Sequence, residues 1–303
     1  MQKHQTAIRI GVNHGSLGED ILYAYGDTPL GMCESAFRFL RIAREESFEQ
    51  IVVSLKSSNP LVMMRANRLF VEMQKKEGFF TPLHLGVTEA GEGMEGRIKA
   101  AFGIAPLLLE GIGDTIRVSL TEDAIYEIGP CKILQNIPPY PGKLEYTGES
   151  KEEAIIHLAG WAGTFLLDNP STEIEVKTPF GETFDSDLKS GILQAARIKM
   201  SKADFISCPS CGRTQFNLQT VSRKIKEATH HLAGVKIAIM GCIVNGPGEM
   251  ADADFGYVGS KPGYVDLYKK TQKVLSHVHE SVALEALIEL LKSEGVWSEP
   301  LNV

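Results

Sequence analysis

The sequence predicts an α/β chain in which a row of parallel strand–helix units precedes an α+β region that carries cysteines. Three observations support this. Apolar, β-rich runs alternate with helical runs over residues 1–122. Each of the four β-rich runs ends in polar residues. A C-x-x-C pair and a third cysteine occur within the last hundred residues.

The row of units consists of four strands and the helical stretches between them. The strands are predicted over 7–13, 50–57, 82–90 and 115–121, and the helices over 33–45, 62–76 and 97–111. Because strand and helix alternate, the strands should lie parallel in one sheet that is buried on both faces. A barrel and an open sheet both satisfy this order.

Polar side chains stand where each predicted strand ends. They are Asn13, Lys56, Glu89 and Ser119. The carboxyl ends of parallel strands meet at one edge of a sheet, which is where such folds place their sites. One polar residue there would usually be a solvated strand exit. Four in succession, with amide, cationic and anionic chemistry, favour a functional site.

A glycine pattern after the third strand suggests a competing interpretation. Gly91, Gly93 and Gly96 spell G-x-G-x-x-G between a strand and a helix, as in dinucleotide-binding folds. The acidic residue that such a fold needs after the next strand is misplaced. The flanking Glu92 and Glu95 would also repel a pyrophosphate. The sequence therefore disfavours a dinucleotide site here.

Residues 123–200 carry little chemistry of their own. Ser150 and Glu153 form a candidate capping box for a helix over 151–169. An alternating run at 172–178 predicts a strand, and 184–200 predicts a helix. We expect a linker or a small inserted domain, followed by a separate domain over 201–303.

The cysteines indicate a metal or redox site in this last domain. Cys208 and Cys211 have C-x-x-C spacing, and Cys242 follows a predicted buried strand. An odd total of 5 cysteines without an export signal argues against a disulfide framework. A disulfide-reductase motif would need no third cysteine. A zinc site would need a fourth ligand, which His230 or His231 could supply.

The loop at 245–249, NGPGE, favours an iron–sulfur cluster over zinc. Its glycines let the backbone pass close to a bulky inorganic group, and Glu249 could return as an oxygen ligand. Pure electron carriers usually bind a 4Fe–4S cluster with cysteines alone. Three thiolates and one carboxylate would leave one iron weakly held, which predicts that the substrate binds there.

Composition excludes some classes of protein. The formal net charge of −7 leaves no basic surplus for neutralising nucleic-acid phosphates. The chain has no apolar run of the roughly 20 residues that a membrane span needs. The first residues, MQKHQTAIRIGVN, lack the apolar core of a signal peptide and read as the start of a strand. These features predict a cytoplasmic protein with no membrane or nucleic-acid partner.

Five motifs together closely resemble those of 4-hydroxy-3-methylbut-2-enyl diphosphate synthases, a family of the non-mevalonate isoprenoid pathway. The motifs are RIGVN (9–13), HLGVTEAG (84–91), GIGDTIRVSLT (111–121), SCPSCGR (207–213) and IMGCIVNGPGE (239–249). The segment 249–268 resembles the plant-type and large bacterial forms. The resemblance implies a TIM-type barrel joined to a 4Fe–4S domain similar to a sulfite-reductase module. It also implies reductive opening of 2-C-methyl-erythritol 2,4-cyclodiphosphate, with electrons from ferredoxin or flavodoxin.

The resemblance assigns a role to each matching position. Cluster ligands are expected at Cys208, Cys211, Cys242 and Glu249. Diphosphate-binding residues are expected at Arg9, Asn13, Lys56, Arg117 and Ser119. Guanidinium and ammonium groups suit that task because their charge-assisted contacts to phosphate are strong. Glu89 is the expected proton donor or orienting group, and with Glu249 it completes the expected catalytic pair.

The chain departs from the family pattern in two ways. Residues 1–122 resemble only the last four βα units of an eight-unit barrel, which would leave two open strand edges. Residues 123–200 resemble a shortened form of the domain that large members insert, with its last helix at 187–200. Two explanations follow, namely a fragment of a longer protein or two half-barrels paired in a homodimer. An inactive cluster-binding fragment and a zinc-stabilised binding module remain the alternative functions.

Overall fold

Four strand–helix units form the first region, as the sequence predicts. The computed structural model describes residues 4, 6–209, 211–244 and 246–300. The elements of this region, in chain order, are β1 (Ile8–Asn13), α1 (Glu19–Tyr25), α2 (Pro29–Glu45), β2 (Ile51–Lys56), α3 (Pro60–Glu77), β3 (His84–Leu85), α4 (Gly93–Leu109) and β4 (Thr115–Ile116).

Local sequence signals set the ends of the long helices. The side chain of Thr28 accepts a hydrogen bond from the Gly31 N–H at the start of α2, and Asn59 caps α3 in a similar way. A proline follows each cap at the first helical position, where its missing N–H costs nothing. α3 ends at Gly78, which adopts the left-handed conformation that glycine tolerates best.

The strands are parallel, but the last two are shorter than predicted. β1 pairs with β2 and β3 with β4, and single bridges at Val53–Leu83 and Ser57–Val87 connect the two pairs. β3 is followed by residues that leave the row, because Ala90 instead forms a parallel bridge with Ser207 of the last region. Residues of the predicted strand over 82–90 therefore pair with strands of two different sheets.

The outer helices of the row expose apolar side chains. Among the described strands, β1 and β4 each have one partner within the row, so each presents one open edge. On α2, Phe39 and Ile42 are exposed, and Ile125 and Tyr126 are exposed in the segment after β4. These apolar positions lie on the helices that follow the two edge strands in the chain.

The middle region packs into the core of the first region. Its elements are α5 (Ile125–Gln135), β5 (Leu144–Glu145), α6 (Lys151–Leu166), β6 (Val176–Lys177) and α7 (Glu182–Ala195). Ser150 caps α6 by accepting from the Glu153 N–H, as the capping-box pattern predicts. One continuous hydrophobic core extends from Val12 to Ala196. Glycines 160 and 163 of α6 lie against α4, where a larger side chain would overlap Ala105 or the Phe102 carbonyl.

The last region is a mixed five-stranded sheet with helices. Its elements are β7 (Asp204–Ser207), α8 (Leu218–Thr229), β8 (Lys236–Met240), α9 (Gly246–Glu249), β9 (Phe255–Lys261), β10 (Tyr264–Lys269), β11 (Gln272–His279) and α10 (Ala283–Ser293). The sheet order is β11-β10-β9-β8-β7. The pairs β7–β8 and β8–β9 are parallel, and the other two are antiparallel.

Alternating side chains bury both faces of this sheet. Ile237 and Ile239 of β8 pack into one hydrophobic cluster, whereas Ala238 and Met240 pack into another on the opposite face. Cys208 contacts both clusters where β7 ends. This core is separate from the one formed by the first two regions. The three-part division at residues 122 and 200 stays a prediction.

A buried carboxylate fastens the last region to the other two. Asp204, at the start of β7, forms ion pairs with Lys99 of α4 at 2.6 Å and with Arg197 at 3.0 Å. Lys99 also donates to the carbonyl of Phe205 at 2.7 Å. Both cations come from outside the last region, so β7 is tied to α4 and to the chain that follows α7.

No helix within the described ranges is long and apolar enough to cross a membrane.

Replacing Asp204 by Asn should destabilise the chain strongly. The change leaves Lys99 and Arg197 without their buried counter-charge, which typically costs about 3–5 kcal/mol. Urea unfolding can be followed by the fluorescence of Trp161 and Trp297, which lie in different regions. Burial opposes the charged form, but Lys99 and Arg197 lower the pKa of Asp204 below its ordinary 3.8. The wild-type advantage should therefore be complete near neutral pH and fade as the pH falls below about 4.

The matched control is Glu95→Gln. Glu95 pairs with Lys202 across the same junction, but both side chains are about a third exposed. Such a pair contributes at most about 1 kcal/mol. Equal losses from the two variants would contradict the role assigned to Asp204.

Candidate functional site

One cavity collects nearly all of the residues that the sequence singles out. Its volume is about 230 Å³, which is smaller than the roughly 490 Å³ of a groove near Phe79. What distinguishes it is its lining, which joins strand ends of the first region to loops of the last region. The predicted residues that line it are Asn13, Lys56, Glu89, Arg117, Ser119, Cys208, Cys211, Cys242 and Glu249.

Strand alternation explains why the polar residues of the first region face this cavity. Residues two apart on a strand share a face. In β2, Val53 and Leu55 are buried against the helices, so Lys56 lies on the opposite face. Asn13 is paired in register with Lys56 on the neighbouring strand. The same alternation places Arg117 and Ser119 beyond β4, on the side away from the buried Val118.

Arg9 is the one predicted residue that does not line the cavity. It lies four residues before Asn13 on the same face of β1, about 13 Å away along an extended strand. Its side chain is exposed. Its charge nevertheless lowers the pKa of both Lys56 and His84, so it contributes to the same positive field.

The charges of the cavity perturb one another. Burial lowers the pKa of Lys56, and the nearby Arg9 and Arg117 lower it further, although Glu89 acts in the opposite direction. Burial and then the negative charge of Glu249 raise the pKa of Glu89 to about 8. Glu89 is 4% exposed, and its raised pKa favours the protonated carboxyl near neutral pH.

The backbone at Glu89 is held in an uncommon conformation. Its φ of 51° lies in the left-handed region, which costs a residue with a Cβ about 1–3 kcal/mol. The conformation is fixed by the junction between regions, because the Glu89 carbonyl accepts a hydrogen bond from the Ser207 N–H at 3.3 Å. Ser207 immediately precedes Cys208. The carboxyl of Glu89 and the first cysteine are thus positioned by the same backbone contact.

The cysteines approach the cavity from the ends of two adjacent parallel strands. Cys208 follows β7, and Cys242 follows β8. The Cys208 sulfur accepts a hydrogen bond from the Gly241 N–H at 3.2 Å, while burial raises its pKa to about 12. Cys211 is exposed, and hydrogen bonds from the Arg213 backbone and side chain lower its pKa. Ser210 and Asn245, within the two cysteine motifs, lie outside the described residues.

These donors surround the cavity without converging on one point. Within the described part of the chain, no three His, Cys, Asp or Glu side chains are close enough to hold one metal ion. Three thiols and the Glu249 carboxyl nevertheless line the same 230 Å³ space. Such a donor set does not fit a single zinc ion, which needs tetrahedral ligands at about 2.0–2.3 Å. It leaves room for a larger inorganic group.

Two glycines bring the Glu249 loop against the first region. Gly15, after β1, has a φ of 85°, and a Cβ there would overlap the carbonyl oxygen of Gly248. A Cβ on Gly248 would in turn overlap the Ser16 hydroxyl. Close backbone approach at this point requires glycine on both sides. The contact places the residue before Glu249 against the turn that follows β1.

The alternative sites suggested by the sequence are separate from this cavity. The Gly93 N–H, where a dinucleotide phosphate would bind, donates to the Glu122 carboxylate at 2.7 Å, and Arg97 pairs with the same carboxylate. His231 bonds the Ser298 carbonyl at 2.7 Å and packs against Trp297. His230 and His231 do not line the cysteine cavity.

Two further polar residues of the cavity are not predicted from the sequence. Thr88 and Arg213 both line it. Thr88 directly precedes the predicted Glu89, and Arg213 lies two positions after the predicted Cys211, so both belong to motifs quoted above. A cation near thiolates indicates a function only when the two are known to be close, and the sequence alone does not show that proximity.

Two family models match the chain. One described as the GcpE TIM-barrel domain matches residues 1–132. The other, described as the GcpE protein C-terminal domain, matches residues 204–293. The two models leave unmatched the segment from 133 to 203, which contains most of the middle region.

Curated relatives align over nearly the whole chain. One from Prochlorococcus marinus (strain MIT 9313) is 44% identical over 300 residues, which is 99% of this chain and 59% of the relative. One from Thermosynechococcus vestitus is 45% identical over 294 residues, 97% of this chain and 58% of the relative. Both are named 4-hydroxy-3-methylbut-2-en-1-yl diphosphate synthase (ferredoxin). The chain thus spans less than two thirds of the length of the relatives it matches.

Replacing Gly15 by Ala should loosen the loop that carries Glu249. The new methyl group adds a clash with the Gly248 carbonyl to the cost of a positive φ, and together these should cost about 2–4 kcal/mol of unfolding free energy. Gly78→Ala is the matched control, because Gly78 has a φ of 68° but its Cβ would meet nothing within 4 Å. That variant should cost only about 1 kcal/mol. Denaturant unfolding of the two variants compares them, and an equal loss would rule out a close contact at Gly15.

Proposed function

This chain belongs to the GcpE family, and we propose that it forms the catalytic centre of a 4-hydroxy-3-methylbut-2-enyl diphosphate synthase. The reaction is the reductive ring opening of 2-C-methyl-D-erythritol 2,4-cyclodiphosphate. The observation that carries the proposal is the single cavity shared by two kinds of chemistry. Cationic and amide groups line one side, and thiols with a carboxyl group line the other.

The thiol side suits a 4Fe–4S cluster. Each iron of such a cluster takes its own external ligand, so the ligands surround the group and do not converge on one point. Cys208, Cys211 and Cys242 would bind three irons, and Glu249 would bind the fourth. The Gly241 N–H that reaches the Cys208 sulfur is the kind of hydrogen bond that tunes a cluster. When bound, the cluster would supply the electrons for the reduction.

The cationic side suits the diphosphate of the substrate. Lys56 and Arg117 offer charge-assisted hydrogen bonds, which are stronger and more directional than neutral ones. The side-chain oxygen of Asn13 is buried without a hydrogen-bond partner among the described residues, so this amide is available to a ligand. Ser119 adds a hydroxyl at the same strand ends. Arg9 would extend the positive field below these groups.

Glu89 is the proposed proton donor. Its carboxyl lies in the cavity between the two sides, and its raised pKa of about 8 keeps a proton on it at neutral pH. The overall reaction needs such a proton, because two electrons enter, a ring carbon–oxygen bond to phosphate breaks and one oxygen leaves as water. Lys56 and Arg117 would neutralise the charge of the released diphosphate.

Electrons would enter on the side of Cys211. This cysteine and the neighbouring Arg213 are exposed, whereas Cys208 is mostly buried. The relatives' names specify ferredoxin, and we propose a ferredoxin as the donor for this chain as well. A small redox protein could approach this side without disturbing the strand ends.

Serine substitutions test the cluster assignment. Cys208→Ser, Cys211→Ser and Cys242→Ser should each lose most of the bound iron and acid-labile sulfide after anaerobic reconstitution, because a serine hydroxyl replaces a thiolate poorly. Cys131→Ser is the control, since Cys131 lies in α5 and not at the cavity. It should load like the wild type. Full loading of all four variants would place the cluster elsewhere.

Anaerobic turnover tests the reaction itself. The reconstituted chain should convert the cyclic diphosphate to product when supplied with a chemical reductant. Lys56→Gln should lower kcat/KM by about 10- to 100-fold, because a charge-assisted bond to phosphate is lost. Lys75→Gln, at an exposed position of α3, should change nothing. A fully loaded cluster without product would contradict the proposal that this chain completes the reaction.

A further inference from the structure

The turn that follows β1 is in direct contact with the loop that carries Glu249. We call residues 13–16 the β1 turn and residues 246–251 the Glu249 loop. A Cβ at Gly15 would overlap the Gly248 carbonyl oxygen and would lie 2.8 Å from the Cβ of Ala251. Because the two backbones touch, the conformation of the β1 turn determines where the Glu249 loop can rest.

A side chain from another part of the first region completes the β1 turn. The His14 N–H donates to the last carbonyl of β2 at 2.9 Å, and the Ser16 N–H donates to the Asn13 carbonyl at 3.1 Å. Between them, the Gly15 N–H donates to the Asp27 carboxylate at 3.1 Å. A charged acceptor makes this bond stronger than the bonds to the two carbonyls. Asp27 therefore holds the turn at the residue that touches the Glu249 loop.

The same carboxylate reaches a second residue of the turn. The other oxygen of Asp27 lies 3.5 Å from His14 Nε2, and the two side chains are 28% and 16% exposed. Water and salt screen such a partly buried contact less than an exposed one. One side chain thus engages two successive residues, His14 and Gly15, which restricts the conformation of the β1 turn.

Asp27 is itself held in place between α1 and α2. The Thr28 hydroxyl donates to the Tyr25 carbonyl at 2.9 Å and accepts from the Gly31 N–H at 3.1 Å. Gly26 has a φ of 69°, and its carbonyl oxygen occupies the place where a Cβ on Gly31 would lie. The carboxylate is therefore presented by a connection that has little freedom of its own.

Asp27 and His14 are not part of the cavity. Neither is among the described residues that line it, so neither is placed to touch a ligand there. Glu249 does line the cavity, and its negative charge raises the pKa of Glu89. A displacement of the Glu249 loop would therefore alter both carboxyl groups of the cavity.

We propose that Asp27 is a positioning residue for Glu249. It holds the β1 turn in the conformation that seats the Glu249 loop, and the loop sets the position of the Glu249 carboxyl in the cavity. The proposal rests on the proposed function for the chemical role of Glu249. The line of contacts from Asp27 to the Glu249 loop is independent of that role and can be tested without turnover.

Hydrogen exchange of the ligand-free chain, followed by mass spectrometry of short peptides, tests this line of contacts. Asp27→Ala should raise the exchange rates of both the β1 turn and the Glu249 loop by about 10-fold, because a hydrogen bond to a charged group is lost. Asp27→Asn keeps an oxygen for the Gly15 N–H and should raise both rates by only about 3-fold. The rates of α4 should not change in either variant.

Asp20→Ala is the matched control. Asp20 lies on α1 and pairs with Arg38 at an exposed position, so this variant removes a carboxylate near Asp27 without altering the β1 turn. Its exchange rates in both segments should equal those of the wild type. Coupling between two sites is reciprocal. Gly248→Ala, whose new methyl group would overlap the Ser16 hydroxyl, should therefore also raise the exchange rate of the β1 turn.

Turnover of the reconstituted chain supplies a second measurement. Asp27→Ala should lower kcat by about 10- to 100-fold, since a displaced reacting group is costly even when it stays bound. KM should change by less than about 2-fold, because Lys56 and Arg117 still hold the substrate. A merely structural role would reduce the amount of folded protein and leave kcat per loaded cluster unchanged.

The outcomes distinguish this role of Asp27 from the proposed function. Faster exchange in the β1 turn alone would mean that Asp27 holds only its own turn, and faster exchange throughout the chain would mean a general structural role. Either result would overturn the positioning role, as would an unchanged kcat beside loosening of both segments. Loosening of both segments in a chain whose wild type makes no product would support the line of contacts and overturn the proposed function alone.

Discussion

The junction at β7 is the constraint on which the rest of the site depends. Asp204 begins this strand as a buried carboxylate between Lys99 and Arg197, and Ser207 ends it in a bridge with Ala90. A buried charge of this kind is tolerable only when its partners stay in place. The ion pairs therefore hold the last region in one position relative to the first and middle regions. Cys208 and Glu89 are adjacent to that junction, which is why thiols and strand-end groups face each other across one cavity.

Much of this arrangement could be predicted from the sequence, because its signals are local. The four polar strand ends, the C-x-x-C pair and the Ser150 cap depend on spacing within short segments, and the structure places them as the spacing indicates. The short β3 could not be predicted, since Ala90 leaves the row only to meet Ser207, 117 positions later. The packing of α6 on α4 also depends on long-range fit between small residues.

The electrostatics of the site also depend on how distant parts of the chain pack together. Glu89 and Lys56 have shifted pKa values because burial removes water from groups that also feel their neighbours' charges. Neither shift is visible in the sequence, where the two residues are 33 positions apart. The common direction of the polar strand ends is different, because alternation along each strand predicts it once the strands are identified.

The cavity joins residues that are far apart along the chain, and this has a consequence for the order of folding. Asn13 and Glu249 line the same space, so its walls are complete only after most of the polypeptide has been synthesised. The core from Val12 to Ala196 lies within the first two thirds of the chain and can form earlier. In a nascent chain the polar strand ends would thus stay uncovered until β7 and the cysteine loops have been synthesised. Assembly of the wall that carries the cysteines is then the last step of folding, and it occurs on a surface that is already in place.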